Sequence, residues 1–176
     1  MKKTIASLLA ATLCLSLIAA PVSAATYNQD STETPGTTIS FDYKNDPTYT
    51  VTIPDSVTLD KDGAEMQIEA SDVADLGDQK ISVTIAGTQY FRNQLVLEGV
   101  KADGKDARPL RYQVIKEDGT VIETTGTDSA TGTELASFTD NGTATLKIVP
   151  VINDYTDAGV AYTGTMTYGI ALVDAE

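Results

Sequence analysis

The 176-residue chain has no histidine, no tryptophan and a single cysteine, Cys14. Without histidine there is no imidazole base, no Ser-His-Asp triad and no histidine-rich zinc site. Without tryptophan the chain lacks the strongest stacking platform for sugars or cations. These absences argue against an enzyme, and the second argues mildly against a carbohydrate-binding module.

Positive charge is also scarce. The chain has 12 Lys and Arg against 25 Asp and Glu, which gives a formal net charge of −13. Such a chain repels the phosphates of nucleic acids and anionic membrane surfaces. We therefore expect no nucleic-acid partner.

The first 24 residues have the pattern of a secretory signal peptide. Lys2 and Lys3 precede an apolar run over residues 8–20, and Val22-Ser23-Ala24 supplies small residues for cleavage. The apolar run is short for a membrane span. The expected product is secreted, extracellular or cell-wall associated, with no membrane span and no cysteine, and loss of the two lysines takes its net charge from −13 to −15.

Residues 25–38 are polar, contain Pro35-Gly36 and show no apolar alternation, which predicts a flexible leader. From Ile39 the alternation begins, with Phe41 and Tyr43 on the same side. We expect a single domain over residues 39–176 that begins with a strand at this point.

Short alternating segments then recur with turn residues between them, and no helical period is sustained. Glu117-Asp118-Gly119 is the strongest hairpin signal. For residues 64–76 two readings remain open: a strand, or a strand followed by a helical turn capped by Ser71. The pattern predicts an all-β, antiparallel two-sheet β-sandwich, immunoglobulin-like or jelly-roll-like, with about eight or nine strands. The expected strand segments are residues 39–43, 49–54, 64–68, 80–85, 95–97, 110–115, 121–125, 144–148 and 161–172.

The last of these segments, residues 161–172, has the clearest period of two. Threonines occupy one face, and the other face carries larger apolar groups. We expect Tyr162, Met166, Tyr168 and Ile170 to close the core of the domain.

Two phrases carry a resemblance to a known group of proteins. Residues 49–59 read Tyr-Thr-Val-Thr-Ile-Pro-Asp-Ser-Val-Thr-Leu, and residues 162–168 read Tyr-Thr-Gly-Thr-Met-Thr-Tyr. Together with the signal peptide, they resemble small secreted adhesin-like or WxL-like β-sandwich surface proteins of Gram-positive bacteria. The final strand is also similar to that of fimbrial subunits. The resemblance implies a surface role and supplies no catalytic residues, and the tryptophan motif that gives WxL proteins their name is absent.

One candidate ligand-binding surface consists of Tyr90, Phe91, Arg92 and Asn93, together with Tyr155. The four consecutive residues follow a predicted strand, and loop ends on a rigid sandwich often carry binding residues. The alternative is that Tyr90 or Phe91 fills the end of the core.

A second candidate site lies before the last strand, where Asn153, Asp154 and Asp157 could supply oxygen ligands to calcium. The alternative is a solvated turn, because Asn and Asp favour turn geometry and the spacing differs from that of an EF-hand loop. No other cofactor is expected.

Composition and resemblance together favour a non-enzymatic protein that acts by adhesion or by surface or matrix assembly. The alternatives are a stand-alone carbohydrate-binding module and a fimbria-like structural subunit. The expected partner is a cell-surface protein, a glycan, or a second copy bound through a free sheet edge.

Overall fold

The structure, a computed structural model, describes Gln29 and residues 37–175. The chain divides into two compact units, Met1–Asp42 and Tyr43–Glu176. The predicted signal peptide, residues 1–24, lies outside the described residues, as does most of the predicted leader. The described residues of the first unit form no helix or strand, and their side chains are exposed.

The strand predicted from Ile39, Phe41 and Tyr43 does not form. Residues 37–47 have no regular secondary structure, and the first strand begins at Thr48. Alternation assigns side chains to two faces but does not by itself supply the backbone pairing that makes a strand. The strand prediction is therefore wrong for this segment.

Ten strands, all paired antiparallel, make up the described part of the second unit, and this part contains no α-helix. The strands are β1 (Thr48–Thr52), β2 (Ala64–Ala74), β3 (Gln79–Thr88), β4 (Val96–Gly99), β5 (Leu110–Lys116), β6 (Val121–Ile122), β7 (Glu134–Phe138), β8 (Gly142–Pro150), β9 (Tyr162–Thr163) and β10 (Met166–Asp174).

These strands form two sheets. The larger has seven strands in the order β1-β2-β8-β5-β4-β9, with β6 paired to β5, and the smaller has the order β10-β3-β7. One hydrophobic cluster takes residues from both sheets. The prediction of an all-β, two-sheet sandwich is confirmed, with ten strands in place of about eight or nine.

The core owes its stability to aliphatic side chains on facing strands. Ile68 of β2 and Val114 of β5 are fully buried, as are Ile81, Val83 and Ile85 of β3. Burial of each such side chain contributes about 1.5–3 kcal/mol. Ile81, Val83 and Ile85 alternate with polar residues along the sequence, so the period of two places all three on the core face.

The predicted hairpin at residues 117–119 is also confirmed. It joins β5 to β6, with the Lys116 N–H donating to the Thr120 carbonyl at 2.9 Å. Gly119 takes a φ of +82°, which glycine adopts without strain. The Asp118 carboxylate accepts the Thr120 N–H at 2.8 Å and fixes the turn.

One open alternative is decided, and two elements differ from expectation. Residues 70–74 continue β2 instead of forming a helical turn, because β1 pairs with them, Val51 lying opposite Ala70. Strand β7 was not predicted. The segment 161–172 divides into β9, which pairs with β4, and β10, which pairs with β3.

The last strand closes the core only in part. Met166 and Tyr168 pack against the core cluster, as expected. Ile170 lies opposite the fully buried Val83 and so faces the same way, yet its side chain is 42% exposed. The prediction that Ile170 closes the core is wrong: β10 is an edge strand, and Ile170 stays open to solvent although Leu172, two residues further on, packs against the core cluster.

Candidate functional site

The four consecutive residues of the predicted ligand-binding surface begin at Tyr90 and are separated from the end of β3 by one residue, and Phe91–Asn93 forms a 3₁₀ turn. Phe91 is 71% exposed, and the Arg92 guanidinium lies 5.1 Å from the centre of its ring. Tyr90 is half-buried. Phe91 is therefore presented to solvent and does not fill the end of the core. We call Phe91 and Arg92 the aromatic tip.

The backbone beneath the aromatic tip has an uncommon geometry. Arg92 and Asn93 have φ values of 58° and 54°, in the left-handed region that non-glycine residues seldom occupy. Such conformations cost of order 1–3 kcal/mol and persist only where the surroundings enforce them. The contacts of Asn93 do so: its Oδ1 accepts the Thr88 N–H at 3.2 Å, and its carbonyl accepts the Ala130 N–H at 3.0 Å.

A buried polar network extends below Asn93. The Gln94 side-chain amide donates to the Gly126 carbonyl at 2.9 Å, and the Thr124 hydroxyl accepts the Leu95 N–H at 2.8 Å. Gln94 and Thr124 are 6% and 4% exposed. Because a buried polar group must keep its partners, this network holds the tip rigidly. Asn93 thus belongs to the support of the tip, and Phe91 and Arg92 to its contact face.

Tyr155 lies on a second surface. Its ring is 68% exposed, and the Arg108 guanidinium lies 4.9 Å from the ring centre. The Asn153 Oδ1 accepts the Tyr155 N–H at 2.9 Å and shapes the loop. A shallow cavity of about 160 Å³ adjoins the ring and is lined by both Arg108 and Arg111. We call Tyr155 and Arg108 the Tyr155 surface.

The structure does not bring the two surfaces together. The aromatic tip precedes β4, whereas Arg108 follows Ala107, whose N–H donates to the carbonyl of Gly99 at the far end of β4. The predicted five-residue surface is therefore two surfaces at opposite ends of β4. Each pairs an exposed aromatic ring with an arginine.

Sequence reasoning missed the part that arginine plays at these surfaces. The chain has three arginines, Arg92, Arg108 and Arg111. Two stack on the exposed rings, and the third donates to the Thr124 carbonyl, within the network beneath the tip. Their confinement to residues 92–111 of an acidic chain was the signal that could have revealed them.

The proposed calcium ligands have other contacts in the structure. The Asp157 carboxylate accepts the Arg108 N–H at 2.9 Å and lies 3.0 Å from the Lys101 ammonium. The hydrogen bond from the Arg108 N–H, followed by that from Lys101, lowers the pKa of Asp157. Asn153 accepts the Tyr155 N–H, as above. Among the described residues, no three Asp, Glu, His or Cys side chains come together as a metal cluster. The calcium site stays a prediction.

A larger groove of about 630 Å³ separates the chain after β1 from the loop that precedes β9. Its walls are mainly apolar, with Val57, Leu59 and Val160 among them, and Asp157 lies at its border. The groove contains none of the predicted ligand-binding residues.

No protein-family model matches the chain, and searches of curated proteins and of solved structures give no significant match. No helix among the described residues is long and apolar enough to cross a membrane.

Proposed function

We propose that the protein is a non-enzymatic secreted or cell-surface protein that acts by adhesion or surface assembly, with the aromatic tip as its adhesive contact. The observation that carries the proposal is that the ring of the tip is exposed while the backbone beneath it is held by hydrogen bonds. Phe91 is 71% exposed, while the residues directly after it are fixed by the hydrogen bonds of Asn93 and Gln94.

Rigidity matters because ordering a mobile loop on binding costs about 0.5–1.5 kcal/mol for each immobilised side chain. The stack on Phe91 orients the Arg92 guanidinium before any partner arrives. Aromatic residues and arginine also dominate the energetic centres of protein interfaces. The tip therefore suits a partner with an apolar or ring-shaped face beside an anionic group.

A carbohydrate-binding module is the second candidate, and the exposed rings favour it. Phe91 and Tyr155 each present a ring to solvent beside a guanidinium. A ring can lie against the apolar face of a sugar while the guanidinium binds a carboxylate or sulfate group on it. This candidate differs from the first in its ligand, which is an isolated glycan.

The test compares the binding of Phe91→Ala and of the wild type to bacterial and host cells and to a glycan array. We expect a loss of at least about tenfold in affinity for cells, because the central aromatic contact is removed. Val121→Ala is the matched control, since Val121 is also exposed, at 47%, and lies on β6 away from the tip.

Loss of binding to isolated glycans by Phe91→Ala supports the carbohydrate-binding candidate. Equal binding by all three proteins excludes the tip as the contact. A wild type that binds neither cells nor glycans overturns the adhesive function.

A further inference from the structure

Strand β10 is an edge of the smaller sheet with only one of the usual protections, a β-bulge near its start. Natural edge strands are shortened, charged, interrupted by proline or covered, so that they do not pair with other chains. Strand β10 has nine residues, and its first charged residue is its last, Asp174. It contains no proline, and a bulge between Thr167 and Tyr168 is its one irregularity.

The hydrogen bonds show which backbone groups of β10 point outward. The Ala175 N–H donates to the Asp78 carbonyl at 2.8 Å. Antiparallel pairs alternate between bonded and non-bonded, so the N–H and C=O groups of Tyr168, Ile170 and Leu172 point away from β3.

The opposite side of β3 gives the same result independently. Ile85 lies opposite Tyr168, and its N–H and C=O bond to Thr133 and Gly132, on the side of β7. The pairing of Tyr168 with Ile85 is therefore of the non-bonded kind. Within the described residues, no strand lies beyond β10 to receive its outward groups.

The side chains of β10 are also incompletely buried. Ile170 faces the core side but is 42% exposed, and Val173 on the other face is 37% exposed. The side chains of a strand added beside β10 would pack against Ile170 on one face of the sheet and against Val173 on the other. The added strand would satisfy the outward backbone groups in the same step.

A second copy fits this edge, because the edge itself carries no charge before Asp174. The chain as a whole carries −13, so most contacts between two copies are repulsive, but residues 158–173 contain no Asp, Glu, Lys or Arg. The bulge-free residues 168–174 are centred on Ala171. Antiparallel pairing about this centre puts Ile170 opposite Leu172 of the second copy. It also separates the two Asp174 carboxylates by about 20 Å, at about 3.4 Å per residue, whereas parallel pairing would bring them together.

We propose that β10 pairs antiparallel with β10 of a second copy about a two-fold axis at Ala171, which joins the two smaller sheets into one continuous sheet. The inference rests on the assembly part of the proposed function and names its partner and its surface. It does not involve the aromatic tip, so the two can fail separately.

The first test is sedimentation equilibrium of the wild type and of Ile170→Lys. We expect a dimer for the wild type and at least a tenfold weaker association for the variant, since a lysine would then lie in the new sheet. Val121→Lys is the matched control, because it makes the same change in net charge at another exposed apolar position and should leave the dimer intact. Both changes make the net charge less negative and so reduce the repulsion between copies. Weaker association of Ile170→Lys, with Val121→Lys unchanged, therefore identifies the edge.

The second test fixes the geometry in a Cys14→Ser background. The added cysteine of Ala171→Cys lies on the axis, at a non-bonded pair with about 4.5 Å between Cα atoms, and should form a disulfide between copies under mild oxidation. Asp174→Cys should not, because its two thiols would be about 20 Å apart.

A monomeric wild type overturns the proposal, as does a dimer that Ile170→Lys leaves unchanged. A species that grows beyond a dimer with concentration also overturns it, because a two-fold contact closes on itself. If the wild type dimerises as described but Phe91→Ala binds cells normally, the tip fails and the edge stands. If the wild type is monomeric but depends on Phe91 for binding, the edge fails and adhesion stands.

Discussion

The two edges of the smaller sheet differ in almost every respect, although both pair with β3. Strand β7 has five residues, and three of its side chains are buried: Leu135, Ala136 and Phe138. Its first residue, Glu134, accepts the Ser82 hydroxyl at 2.8 Å and lies 3.7 Å from the Lys80 ammonium. Strand β10 has nine residues, no charge before Asp174, and a central isoleucine that is nearly half exposed.

The difference separates two ways of ending a sheet. Strand β7 ends it as part of the core, with a short strand and a charged first residue. Strand β10 ends it with outward backbone groups that no other strand of the described residues meets, and with apolar side chains. The same neighbour supports both, so the contrast arises from the edge strands themselves and from what the larger sheet covers.

The largest expected effect is on stability at the β7 edge. Leu135→Ala should lower the free energy of unfolding by about 2–5 kcal/mol, because Leu135 is 2% exposed and its loss leaves a cavity. Ile170→Ala should cost less than about 1.5 kcal/mol, since that side chain is already partly in water. Urea denaturation at a low, matched protein concentration measures both values. Equal costs would show that the two edges are buried alike.

A pH titration tests whether Tyr168 of β10 is shielded from water, in contrast to the exposed Ile170 on the same strand. Burial raises the pKa of Tyr112 to about 12, and the neighbouring Tyr168 adds to the rise. Burial also raises the pKa of Tyr168 itself. An unfolded tyrosine titrates near 10, so the folded state holds these protons more tightly. The resulting stability is fully present below pH 10 and is lost as the pH rises through about 12.

For Tyr112 the loss should be about 2–3 kcal/mol, measured as the free energy of unfolding in urea between pH 9 and pH 12. Tyr112→Phe should flatten the fall in the free energy of unfolding with pH. Adding Tyr168→Phe should reduce the remaining fall. An unchanged slope in both variants would mean that neither tyrosine is shielded from water in the folded state.

The smallest difference in the free energy of unfolding is expected between two proline substitutions on β10. The Ala171 N–H points toward β3, so Ala171→Pro should leave a carbonyl of β3 without its donor, at a cost of about 1–3 kcal/mol. The Ile170 N–H points outward, so Ile170→Pro should cost less within one molecule and should abolish dimerisation. Urea denaturation of the monomers compares the two. Equal costs would contradict the assignment of outward groups.

Much of the fold could be predicted from the sequence. In β3 and β8 the apolar residues alternate cleanly with polar ones. The residues at 117–119 are typical of a hairpin turn. Strand β7 was not predicted because Leu135 and Ala136 are adjacent and both buried. Two neighbouring buried residues interrupt the period of two. A register shift opposite Val83 and Thr84 accommodates this pair.

The candidate sites show a different limit. The aromatic tip was found from residue type and from its place after a strand. Its support was not, because Gln94 and Thr124 meet groups about 30 residues away in sequence. The separation of Tyr155 from the tip likewise depends on the path of β4, which residue types do not reveal.

Under the proposed function, the placement of the aromatic tip and the Tyr155 surface at opposite ends of β4 affects the kind of partner that one molecule could hold. A ligand that contacts one surface alone leaves the other available. A polymer or a crowded cell surface that engages one end holds its next segment near the other, at millimolar effective concentration for a short flexible connection. Two weak contacts then act as one strong attachment, and a molecule with a different target at each end acts as a cross-bridge.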